Sequence, residues 1–78
     1  MIDRTKYSEI LKNLQILYQN NQITKSEKDQ IVTTMLKKDE KSLYKVAKSI
    51  NAIKRYCIEP YLKSTCTRIL ELLKSEEN

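Results

Sequence analysis

Two cysteines, Cys57 and Cys66, flank Pro60, the single proline of the chain. If the chain folds back at Pro60, the thiols can approach one another and pair under oxidation. On one continuous helix, their nine-residue separation would hold them about 13 Å apart, beyond disulfide reach. Buried, inert thiols are the ordinary expectation. Two cysteines without any histidine are too few for a disulfide framework or a structural zinc site. No metal or other cofactor is expected, and an intracellular, reducing setting, cytoplasmic or nuclear, is the simplest.

The residue types present disfavour catalysis. There is no histidine to act as a base near neutral pH and no glycine for a nucleophile elbow or a phosphate-cradling loop. No Asp-rich calcium loop is present. Asp29, Asp39 and Glu40 are interleaved with lysines and read as caps and solvated faces. The chain is therefore expected not to be an enzyme.

Charge is the feature that points toward a partner. The formal net charge is +5, and nine of the fifteen cations lie between Lys25 and Arg55, against four acids in that interval. Lys41, Lys45 and Lys48 share a helical face, with Lys37 and Lys38 just before them. Such a stripe suits an acidic protein segment, nucleic-acid phosphate or an anionic membrane surface, and an ordinary solvated face is the plain alternative. Scarce arginine, absent glycine, and tyrosines that fall mostly on apolar stripes weigh against nucleic acid. The five tyrosines, Tyr7, Tyr18, Tyr44, Tyr56 and Tyr61, are the whole aromatic content. Each can rim a groove and keep its hydroxyl wet, or complete a core lacking Phe and Trp, and about three of them are expected in the core.

The elements that must position these groups are helical. Absent glycine and a lone proline remove most of the chemistry of tight β-turns, while Lys, Leu, Glu and Gln favour helix throughout. Thr24-Lys25-Ser26-Glu27 is a capping box, and Ile31, Val32, Met35 and Leu36 follow at helical spacing. Upstream, Asn20-Asn21-Gln22 reads as the turn closing an earlier helix, because Asn tolerates a left-handed backbone. That helix, from about Asp3 or Thr5, has its apolar stripe at Tyr7, Ile10, Leu11, Leu14, Leu17 and Tyr18, with Ile16 off the stripe as an exposed aliphatic. The second helix is expected to end near Lys37-Lys38, with Asp39 capping the next and Ser42 as a second candidate cap. The third carries Leu43, Val46, Ala47, Ile50, Ile53 and Cys57 on one face, Tyr44 beside it, and cations Lys41, Lys45, Lys48, Lys54 and Arg55 elsewhere. Pro60 stops it between Tyr56 and Glu59 and suits the first turn of a fourth helix. The fourth runs to about Ser75, burying Leu62, Cys66, Ile69, Leu70 and Leu73, with Tyr61 and Leu72 broadening the face and residues 76–78 frayed.

Two local likenesses carry little of the chain. Leu14 to Leu36, with Leu17-Tyr18, Ile23-Thr24 and Glu27, resembles the helical hairpin of the short C-terminal domain of oligomeric bacterial proteins, without the elbow glycine or the aromatic after the Glu. Val46-Ala47-Lys48-Ser49-Ile50 with Lys54 is similar to the end of the helical N-terminal domain of transcription elongation factors, with Ile53 where that pattern has Trp. No function is carried over from either.

The expectation is one small all-α domain spanning residues 1–78, a compact four-helix bundle or helical array, with three helices, the last of them bent at Pro60, as the alternative. No apolar run is long enough to span a bilayer, and no apolar segment follows Met1-Ile2-Asp3-Arg4 as in a secretory signal. Such a chain is expected to be a non-enzymatic interaction module for an acidic or helical segment of another protein, or for a second copy of itself. Its partner-binding residues are expected to be Tyr18, Lys41, Tyr44, Lys45, Lys48, Tyr56 and Tyr61. A nucleic-acid binder using Lys37, Lys38, Lys41, Lys45, Lys48 and Arg55 is the alternative.

Overall fold

The computed structural model describes residues 4–74 and contains four helices, α1 (Arg4–Gln19), α2 (Lys25–Leu36), α3 (Glu40–Tyr56) and α4 (Pro60–Lys74). Met1 to Asp3 and residues 75–78 lie outside the described residues, and with them the expected α4 end at Ser75 and the frayed tail. α1 packs on α2 and α4, and α3 packs on the same two, so the helices form a ring without close backbone approach across either diagonal. At 1.5 Å per residue α3, the longest of the four helices, is about 25 Å long, against a longest overall dimension of 31 Å.

Each corner of the chain is built from side-chain and backbone caps. At the end of α1 the Gln22 amide donates to the Leu17 carbonyl (2.9 Å) and the Asn21 amide to the Tyr18 carbonyl (3.1 Å). That is a Schellman motif with Asn21 left-handed at φ 61°, the role usually filled by glycine. α2 then opens as expected. The Glu27 amide donates to the Thr24 hydroxyl (3.1 Å), and the Thr24 amide donates to the Glu27 carboxylate (2.8 Å).

α2 ends at Leu36, with the Lys37 amide donating to Thr34 and the Lys38 amide to Met35. Lys38 is left-handed at φ 57°, a conformation its Cβ opposes and its residue type does not announce. Asp39 caps α3 by accepting from the Ser42 amide at 2.7 Å. Ser42, the other candidate cap, is the buried third residue of the helix instead. Hydrogen bonds from the Ser42 amide and hydroxyl, with Lys37 and Lys45 nearby, hold the Asp39 carboxyl below 3.8. The charged cap is therefore fully present above that pH, and its contribution is lost only as the pH falls further.

Cys57 closes α3 in an extended conformation, and α4 starts afresh at Pro60. The helices are thus separate, and the alternative of a single helix bent at the proline does not apply. Pro60 gives up no hydrogen bond in the first helical position. The free amides of Leu62 and Lys63 both donate to the Glu59 carbonyl, at 3.0 and 3.1 Å.

The stripes meet in one cluster drawn from all four helices. Its fully buried members include Ile10, Leu14, Leu17, Met35, Val46, Ile50, Cys66 and Ile69. Four expectations need correction. Leu36 is 55% exposed, because α2 buries the Ile31–Met35 line and Leu36, one step round, is the last residue before the chain turns away. Ile16 is half-buried against the core rather than free in solvent. Tyr61 does not widen the buried face of α4 but stands exposed at its start, whereas Leu72 is buried. Two tyrosines rather than three pack on the core, Tyr7 and Tyr18, since the aliphatic residues already fill the centre.

The corner chemistry yields two expected outcomes in a thermal or urea unfolding series. Thr24→Ala removes half the capping box and should destabilise by about 1 kcal/mol. Lys38→Gly relieves the left-handed lysine and should stabilise by about 1 kcal/mol, raising Tm by about 4–8 °C. An unchanged Tm in the second variant would show that Lys38 is not held left-handed in solution.

Candidate functional site

A groove of about 690 Å³ lies between α2 and α3. Its α2 wall is Glu27, Gln30, Ile31 and Thr34, which fall at i, i+3, i+4 and i+7 and so form one helical line. The α3 wall runs from Lys45 through Lys48, Ser49 and Ala52 to Tyr56, about 16 Å of helix. Ile31, Val46 and Ile53 make the floor, the first two buried and the last half-buried. Lys45, Lys48 and Tyr56 are all exposed, so one wall is basic and ends in an aromatic ring. The facing wall is amide and hydroxyl in character, and its one acid, Glu27, already accepts the Thr24 amide.

Of the seven expected partner-binding residues, the groove brings together three, Lys45, Lys48 and Tyr56. Lys41 and Tyr44 are exposed on α3 but lie outside the lining, toward the start of the helix. Tyr61 is exposed across the elbow on α4. Tyr18 is half-buried against the core with the Lys28 ammonium 5.1 Å from its ring centre, and Lys28 also donates to Gln15 at 2.9 Å. Tyr18 therefore ties α2 to α1. The lysine set of the nucleic-acid alternative is exposed throughout, but Lys41 and Arg55 are about 21 Å apart along α3, so it forms a stripe rather than a cluster. The α2 wall is not singled out by the residue types along it. Its spacing was visible, yet only the packing of α2 beside α3 turns that line into one side of a groove.

Chain reversal at Pro60 brings the two cysteines together inside the core. Both are buried free thiols. Burial first, then the charge and hydrogen bond of the adjacent Cys57 thiol, push Cys66 up to about 12, with Lys54 pulling weakly the other way. Among the described residues no three His, Cys, Asp or Glu side chains gather as metal ligands, and every buried side-chain N or O has a hydrogen-bond partner.

The raised Cys66 value has a definite pH signature. The unfolded thiol ionises near 9.0 and the folded one only near 12, so this contribution is complete below pH 9 and is lost as pH rises between the two. A Cys66→Ala variant should accordingly lose stability less steeply than the parent between about pH 9 and 11 in urea titrations. In the native protein both thiols should be alkylated at least about tenfold more slowly than in urea.

The chain matches no family model, and no characterised protein or solved structure compared with it gives a match.

Proposed function

We propose that this chain is a non-enzymatic interaction module whose α2–α3 groove receives an acidic, amphipathic helix from another protein. The observation that carries the reading is the pairing, on one wall, of Lys45 and Lys48 with an exposed Tyr56 above an apolar floor. A helix of about three turns matches the 16 Å wall, its apolar side on Ile53 and Tyr56 and its carboxylates toward the lysines. Exposed lysines at a rim speed encounter and select against basic partners, while the aromatic ring that closes the wall supplies an apolar anchor. Two free thiols side by side favour an intracellular setting. In the described residues no helix is long and apolar enough to cross a membrane.

Capture from native lysate on the immobilised chain tests this reading, followed by affinity measurements on the captured partner. Tyr56→Ala should weaken binding by about tenfold or more, and Lys45→Glu with Lys48→Glu should slow association. Affinity should fall only modestly between about 50 and 200 mM salt. A fall of about 10³-fold or more, with capture abolished by nuclease, would instead favour the lysine stripe on phosphates. Concentration-dependent mass in light scattering, with no captured protein, would point to self-association.

A further inference from the structure

The elbow between α3 and α4 carries a second surface. Three of the largest exposed apolar side chains fall within six residues there: Tyr56 at 82%, Ile58 at 89% and Tyr61 at 61% exposed. The cause is local. Cys57 is extended and buried, and in extended backbone successive side chains take opposite sides, so Ile58 is turned to solvent. One exposed isoleucine is unremarkable, but an aliphatic tip between two tyrosines at a single corner is a patch. Beside it, Lys48, Asn51, Lys54, Arg55 and Lys63 line a depression of about 510 Å³ that includes no acid. None of those four cations is ion-paired among the described residues. Glu59, exposed in the elbow itself, is the one opposing charge there.

We propose that the α3–α4 elbow docks on an anionic lipid bilayer, with Ile58 entering the acyl boundary, Tyr56 and Tyr61 at headgroup level, and Lys54, Arg55 and Lys63 on lipid phosphates. Tyrosine is suited to that depth because its ring is apolar and its hydroxyl stays wet. Each basic residue near an anionic leaflet strengthens partitioning by about fivefold, so the cations and the apolar tip act together where neither would hold alone. The aliphatic tip is what favours a bilayer over nucleic acid: bases could stack on the tyrosines, but covering Ile58 would require unstacking a base step, whereas an acyl boundary takes it up directly.

The test is co-sedimentation of the full chain with phosphatidylcholine vesicles, with and without about 30 mol% phosphatidylserine. Binding is expected only with the anionic lipid, and it should drop at least about tenfold in Ile58→Asp and in Lys54→Glu with Lys63→Glu. Both variants change exposed or half-exposed groups outside the α2–α3 groove, and circular dichroism should confirm an unchanged helical fold. No binding to the anionic vesicles overturns the proposal, as does binding that Ile58→Asp leaves unaltered. So does a single-stranded oligonucleotide that binds when vesicles do not. Each of these failures concerns the elbow and leaves the groove reading to its own experiment.

Discussion

None of the four helices, at 12 to 17 residues, is long enough to be secure alone in water, so each depends on burying its stripe against two neighbours. The shared aliphatic cluster is what makes the helices exist, rather than something the finished helices happen to form. With no Phe or Trp available, that cluster is assembled from Ile, Leu, Val, Met and the two Cys side chains. Small side chains cover little distance each, and a ring of four helices encloses them where a single hairpin would leave them wet.

A ring needs three tight reversals, and this chain makes them without glycine. Asn21 adopts the left-handed backbone readily, since its short polar side chain tolerates it. Lys38 adopts it against its own preference and is followed at once by the strong Asp39 cap, which offsets local strain by fixing the next helix start. The last corner avoids the left-handed region altogether, passing through extended Cys57 into Pro60. That choice buries one thiol, brings it beside Cys66 and leaves Ile58 outside, so the core chemistry and the exposed elbow share a single backbone cause.

α3 links the two surfaces. Its buried line holds it between α2 and α4, and the remaining faces carry lysines toward both the α2 groove and the α4 elbow. Lys48 lines both, and Tyr56 lines the groove and flanks the elbow, so the basic, aromatic end of α3 is common to the two surfaces.

Local signals in the residues themselves settled the helix limits at the three corners to within a residue or two: the Thr24–Glu27 box, the Asn pair, Asp39 and Pro60 act over one turn and need no distant partner. Apolar spacing likewise identified most of the core, because a helical stripe is a property of one segment. What no single segment contains is which stripe edge meets a neighbour. Leu36 and Tyr61 ended outside, Ile16 and Tyr18 were drawn inward, and α2 supplied half of a groove whose other half alone was visible as a lysine stripe. Those outcomes were decided by the ring arrangement, since exposure depends on the second surface brought against a residue, and that surface comes from elsewhere in the chain.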